Sequence, residues 1–542
     1  MPRRDAATRQ LLTNGNIWQG GGEWAPAAAV DAGHFLAVGT ERDASSALAV
    51  GGGDFERCDL AGGYLVPGFV DAHMHPLFGA VFQESGIPLR DAAGNFFNMP
   101  AAVADAVAAA HATAPPGEWL VGYGWNPSLR ADPLFAREWL DRAAPGRPVY
   151  LLSLDAHFSL ASSAALERIG ELRYPADSGQ IPLDARGRPL GLFLETPQFI
   201  ASLRVLALLP FEFKAAAFAR FQSQALAAGL TAITDIVGDL EMLRFYARLL
   251  GAGQLRLRVQ VSPYGPMDNR REMAEFLANE KIDPARLALG PVKYLLDGTP
   301  GNHNAAWFQP YADEPGTSGF LTIAPDALAA AVRRAVRGGY DLALHAAGDL
   351  SVHVALDAIE RGAAPASGHG ARLRVEHFDN VTAEDRARLP ALARLGLVAS
   401  IQPTHFHPVY VATIERVLGP ERMRHEYPLA SLLTAGLPLA LNSDWPAAMT
   451  FAPLANLRAA CEHGAEALAP AAALDALTAG NAYAAHCESS LGRIAPGYLA
   501  DAVLLDRNPL ASSTADPRIL ATWIGGDLVC GALPSLRPVR GS

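Results

Sequence analysis

A chain of 542 residues that is 50% hydrophobic and only 18% charged can bury a large core and lacks the composition of a disordered or fibrous protein. Its formal net charge of -11 at pH 7 argues against a general nucleic-acid or anionic-membrane binder, because phosphate surfaces demand clustered positive charge. The expected partners are a small-molecule substrate and further copies of the chain, with no nucleic acid and no membrane.

The first residues, "MPRRDAATRQLLTNG", are basic but have no apolar centre, which does not read as a secretory signal. Residues 11–65 are rich in glycine and hold short apolar pieces such as "GHFLAVG" and "GGYLVPG", the texture of short strands joined by turns. From Val66 the pattern changes. Apolar runs alternate with Ala/Leu/Arg segments of helical period such as "APDALAAAVRRAVRGG", which predicts parallel strands joined by helices. The runs are "LVPGFVDAHMHP", "PVYLLSLDAH", "LTAITDIVG", "LRVQVSPYG", "PVKYLLDG", "YDLALHAAGD", "LRVEHFDN", "LVASIQPTH" and "LPLALNSDWP".

Nine candidates against the eight strands of a (β/α)8 TIM-type barrel leave one outside it, either Leu255–Pro263 or Pro148–Leu154. Polar residues end nearly every run, which favours a barrel mouth over the single switch point of an open sheet. After Asn481 short strands and turns return. The expected organisation is α/β: a barrel over 66–480, and a discontinuous flanking β-sandwich built from 1–65 and 481–542. The four cysteines, Cys58, Cys461, Cys487 and Cys530, are widely spaced with no CxxC pair, which fits a reducing compartment and a cytoplasmic protein.

The strand ends carry the chemistry. His73 and His75 lie two apart, so on a strand both rings point to one face, close enough to share an ion. His345, His377 and Asp444 close three later runs, and a barrel brings such ends to one mouth. Four histidines and an aspartate suit zinc or a similar divalent ion, one or two per chain. "PTHFHP" adds His405 and His407, read as pocket or loop histidines rather than ligands. Asp349, Glu376 and Gln402 are candidates to orient ligand imidazoles.

Lys293 stands apart. Only Lys214, Lys281 and Lys293 are lysines among 44 basic residues, and the first two lie in polar-faced helical stretches as solvated residues do. Lys293 lies in an apolar strand, where a free ammonium is costly. Either it pairs with a carboxylate such as Asp297 or snorkels to the barrel mouth, or its amine has reacted with carbon dioxide to give a carbamate, chemistry closed to arginine.

Taken together, "LVPGFVDAHMHP", "GYGWNP", "DAHFSLASSAAL", "GPVKYLLDG", "HAAGD", "VEHFDN", "SIQPTH", "NSDWP" and "LGRIAPGYLADAVLLD" resemble the amidohydrolase superfamily, in its family 3 branch, over nearly the whole chain. The resemblance implies that His73 and His75 bind a first metal, that a carbamate on Lys293 bridges, and that His345 and His377 bind a second. It implies Asp444 as metal ligand and proton acceptor, and His157 as a histidine beside the substrate. With only one metal bound, His345, His377 or His157 would instead support the developing oxyanion. Leu160, Ser162 and the loop "GTPGNHNAA" depart from the branch's usual residues, so substrate identity does not carry over.

Trp125, His157, His303, Gln402 and Trp445 are the candidates to contact substrate, with aromatic walls expected to favour an uncharged, partly apolar amide-like molecule. The expected activity is metal-dependent hydrolysis of a C–N bond other than a peptide bond. A deaminase with a single metal, and a binding protein that has lost the chemistry, are the alternatives.

Overall fold

A computed structural model describes residues 9–91, 96–132, 135–172, 180–366, 368–423, 426–511, 516–532 and 535–539. Eight of the predicted runs form parallel strands and a ninth strand, Leu287–Leu289, joins them, in two arcs. One arc orders Leu287–Leu289, Arg258–Pro263, Leu230–Gly238 and Phe69–Met74. The other orders Val292–Leu295, Leu342–Ala346, Leu373–His377, Leu397–Ile401 and Leu439–Leu441. Residues on these strands are buried on both faces, as parallel sheets covered by helices require.

The arcs meet twice. A parallel bridge joins Tyr264 to Lys293. On the other side Asp444 donates its N–H to the His73 carbonyl at 2.8 Å, and His75 donates to the Trp445 carbonyl at 2.7 Å. No single closed sheet forms among the described residues, in contrast to the expected continuous barrel. The reason is local: Leu439–Leu441 has three residues, and the junction passes to groups beyond its end. Asn442 Oδ1 accepts the Ala72 N–H at 2.7 Å. Asn481, in a helix over Asn481–Ala484, donates to the carbonyls of Val70 and Leu441 at 2.5 and 2.6 Å.

The run at Pro148–Leu154 is the one outside the parallel arcs. Val149–Ser153 lies in a mixed sheet between Leu120–Trp125, its parallel neighbour, and Phe158–Ala161, its antiparallel one, which in turn pairs with Leu192–Leu194. Two further sheets each combine strands from both chain ends. Ser535–Val539 pairs with Phe55–Asp59, and Ala502–Leu505 pairs with Tyr64–Pro67.

Helices cover the arcs by the pattern read from the sequence. Pro325–Gly338 starts with proline at its first turn, ends at Gly339 in the left-handed region (φ 63°), and buries Leu328, Ala329, Ala331, Val332, Ala335 and Val336. That stripe has the spacing of one helical face. Lys214 departs from expectation. It is buried, and its ammonium donates at 2.6 Å to the Leu206 carbonyl in the last turn of Glu195–Leu208, where that terminus lacks intrahelical donors. No described helix is long and apolar enough to cross a membrane, and all four cysteines are free.

Candidate metal centre and active site

His73, His75, Lys293, His345, His377 and Asp444 all line one narrow cavity. They come from five parallel strands and the turns that follow them, His73 and His75 sharing one, and are spread over 372 positions of sequence.

The first cluster is His73, His75 and Asp444, whose ligand atoms lie within 4.8 Å of one another. Asp444 Oδ1 stands 3.3 Å from His73 Nε2 and 3.4 Å from His75 Nε2. His73 is aimed by its other nitrogen, which donates to Glu376 Oε2 at 2.5 Å. Glu376 is held in turn by Arg374 Nε at 2.7 Å and the Ser400 hydroxyl at 2.5 Å. Gln402 Nε2 lies 3.3 Å from the same His73 nitrogen, and its buried Oε1 has no partner. Such bracing fixes ring orientation and raises ligand basicity.

Protonation favours metal binding. Burial pulls His75 down to about 4, and pulls His345 and His377 well below the usual histidine range, so the rings are neutral at pH 7 and their lone pairs are free. Burial alone would raise Asp444, but His73, His75 and His377 hold it well below the usual carboxylate range. His75 Nδ1 is buried without a hydrogen-bond partner. Neutral imidazoles facing an ionised carboxylate fit a divalent cation. The backbone is strained here as well: His377 and Asp444 have φ of 69° and 57°, at an order of 1–3 kcal/mol each for residues other than glycine.

Lys293 does not pair with Asp297. That carboxylate accepts the N–H groups of Ala306 and Gly348 at 2.9 Å each and the Ser351 hydroxyl at 2.6 Å, and so shapes the turn beside His345. Burial lowers Lys293 to about 8, against the pull of Glu376 and Asp444. His345 Nε2 stands 3.1 Å from the Gly298 carbonyl and 3.5 Å from Asp297 Oδ1.

His157 reaches the cavity from the mixed sheet. Its Nδ1 donates to Glu195 Oε2 at 2.7 Å, and Glu195 Oε1 accepts from Asn304 at 2.5 Å. Burial opposes charging the ring, yet Glu195, Asp155 and Asp444 together raise it to about 9. Glu195, Asp155 and the cavity-lining Phe199 were absent from the sequence expectations. Glu195 is wholly buried at φ 52°, and "LFLETPQF" offers no spacing that marks it.

Four expected substrate contacts do not line the cavity: Gln402, which lies against His73, and three others that sit elsewhere. Trp125 is buried in a separate cluster, where its indole donates to the Leu151 carbonyl at 3.1 Å and packs on Phe135. Its backbone bulge turns the ring inward. His303 pairs with Asp313 at 2.8 Å. Trp445 stacks on Phe221 with centroids 5.2 Å apart and lies so close over Gly79 that any side chain there would overlap its ring. None of the three is among the residues lining the cavity, whose apolar wall is Phe199, Leu295, Ala156 and Ala447. Asp349 accepts the Phe308 N–H at 2.9 Å, a structural cap.

Comparison with known proteins agrees with this geometry. A family profile described as "Amidohydrolase family" matches residues 56–530. The protein LONG AFTER FAR-RED 3 of Arabidopsis thaliana is 30% identical over 544 residues, covering 95% of this chain and 90% of that protein. N-substituted formamide deformylase of Arthrobacter pascens is 28% identical over 538 residues, covering 93% and 94%. The crystal structure of an uncharacterized metal-dependent hydrolase from Pyrococcus horikoshii OT3 matches with a TM-score of 0.72 at 23% identity, over 93% of this chain and 98% of that one, a likeness of fold.

Proposed function

This chain belongs to the amidohydrolase family, and we propose that it hydrolyses an amide-like C–N bond, other than a peptide bond, in a small and partly apolar substrate. The observation that carries the reading is the ionised Asp444 facing His73 and His75 across 3.3 and 3.4 Å at the cavity floor. The name of the formamide deformylase relative points to the same bond class.

In this reading His73, His75 and Asp444 hold one divalent ion, zinc or similar, and His345, His377 and a carbamate on Lys293 hold a second. A divalent ion there supplies water acidified from a pKa of 15.7 to about 7 and polarises the carbonyl. Asp444 accepts the proton from water and delivers it to the leaving nitrogen. His157, its Nδ1 occupied by Glu195, presents Nε2 to the developing oxyanion. Lys293, lowered to about 8 by burial, has a free-amine fraction at neutral pH that takes up carbon dioxide, forming an N–C bond and releasing a proton. Phe199 and Leu295 take the apolar part of the substrate. The eight parallel strands act as a (β/α)8 barrel over 66–480, with 1–65 and 481–542 as the flanking unit, in a cytoplasmic enzyme.

The test is a substrate panel on protein purified without chelator, covering neutral N-substituted amides, N-acyl amino acids, lactams, aminopurines and phosphoesters. The highest kcat/KM is expected among neutral amides with aromatic or alkyl groups, with an amine product. Preference for phosphoesters, or ammonia release from aminopurines alone, overturns the reading.

A further inference from the structure

The two oxygens of Asp444 face different histidines. Oδ1 faces His73 and His75, whereas Oδ2 lies 3.8 Å from His405 Nε2. His405 sits in the turn Pro403–Phe406, just beyond the strand Leu397–Ile401, and its ring lies parallel to that of His377, 6° apart in plane with centroids 6.0 Å apart. Ligand atoms of His377, His405 and Asp444 fall within 4.8 Å of one another, as do those of His73, His75 and Asp444. Two three-donor sets therefore share one carboxylate, one oxygen each. No equivalent set containing His345 meets that spacing among the described residues.

The geometry points to His405 as a ligand of the second metal position, with His377, and to Asp444 as a carboxylate bridging the two positions through its two oxygens. The inference rests on the metal-dependent reading above and adds a donor to it. Donor chemistry favours the assignment. Two neutral imidazoles and a carboxylate are a common three-ligand set for a catalytic divalent ion, leaving a position open. Placement gives a consequence. His75 is 8% and His405 18% exposed at the side chain, and His405 hangs on a turn rather than a strand. The second ion is therefore held from the solvent side and exchanges more readily than the first.

The experiment measures metal content rather than turnover. Metal-free full-length protein is equilibrated with a series of buffered free zinc or cobalt concentrations, and bound metal per chain is read by elemental analysis for wild type, His405→Asn, His405→Gln and His75→Asn. Wild type is expected to bind two ions in two steps. Both His405 variants should fill the first step normally and weaken the second at least 10-fold, whereas His75→Asn should disturb the first. Thermal melting of the metal-free variants near that of wild type establishes that they fold. As a measurement on the native chain, His405 should react with diethyl pyrocarbonate when metal-free and be protected by the second equivalent of metal.

Unchanged second-step affinity in both His405 variants, or metal-independent labelling of His405, overturns the inference. If wild type binds a single ion lost only in His75→Asn, the metal-dependent reading stands and the His405 assignment falls. If wild type binds none, both fall together.

Discussion

The molecule holds two buried histidine–carboxylate pairs of almost equal length around one cavity, His73–Glu376 at 2.5 Å and His157–Glu195 at 2.7 Å, and they are braced differently. What differs is the brace behind the carboxylate. Arg374, itself fully buried, puts a permanent cation 2.7 Å from Glu376. Burial alone would raise Glu376, but Arg374 and then His73 overcome it and hold it well below the usual carboxylate range. Behind Glu195 stands a neutral amide, Asn304, and burial raises that carboxyl. A carboxylate already paired with a guanidinium has its charge balanced and serves to orient its histidine, the setting that suits the ligand role proposed for His73. A carboxylate with no cation of its own draws the proton onto the ring, which makes His157 a donor.

The most forceful way to break the contrast is to remove the cation. Arg374→Met leaves Glu376 buried without its guanidinium and also removes the donors to the Ala72 carbonyl at 2.9 Å and the Ala484 carbonyl at 3.3 Å. The expected loss is about 3–5 kcal/mol of unfolding free energy, read from urea denaturation of the metal-free protein. The double variant Arg374→Met/Glu376→Gln should recover part of it, because no charge is then stranded. Equal instability in the single and double variants would show that Arg374 acts through packing alone.

The second test acts on the other pair and is a matter of pH. His157 is raised from 6.5 to about 9 in the folded state, so its contribution to stability is complete below pH 6.5 and disappears as pH rises through 9. At about 1.4 kcal/mol per pH unit that contribution is of the order of 3.5 kcal/mol. Glu195→Gln removes the anion. Its unfolding free energy should fall most against wild type at pH 6 and least at pH 9.5, with urea midpoints at several pH values as the readout. A gap between the two proteins that does not narrow with pH would refute the charged His157.

The same contrast separates what was legible in the sequence from what was not. His73, His75, His345, His377 and Asp444 could be read because each closes an apolar run, and parallel strands bring such ends together; Lys293 could be read because a lysine inside an apolar strand is costly unless it has a task. Glu376 could be read because it stands beside His377 at the end of the same apolar run, where a carboxylate can orient a ligand imidazole. Glu195 could not, since it opens a helix after the three-residue strand Leu192–Leu194 and meets His157 only through antiparallel pairing that no local pattern announces. Misplacement of Trp125 has the same origin. "GYGWNP" does end a strand, but that strand belongs to the mixed sheet, so the rule that strand ends face the mouth did not apply to it. The sheet junction at Asp444 was hidden too, because Asn442 and Asn481 act there through single hydrogen bonds rather than a period.

The smallest effect sharpens the comparison most finely. Ser400 donates to Glu376 Oε2 at 2.5 Å and accepts from Asn442 Nδ2 at 2.9 Å, so it joins the brace behind His73 to the junction between the two arcs. Ser400→Ala removes a neutral hydrogen bond to a carboxylate that keeps its guanidinium, and hydrogen bonds to charged groups are worth about 1.5–3 kcal/mol. With Arg374 still in place, the loss should sit at the lower end, about 1.5 kcal/mol. Metal affinity at the first position should weaken by about 10-fold, the low end for a residue that orients a ligand. Zinc titration and urea unfolding measure the two quantities on one preparation. If Ser400→Ala costs as much stability as Arg374→Met, the hydroxyl and not the cation keeps Glu376 in place, and the difference between the two pairs must be sought in Asn442 and the arc junction instead.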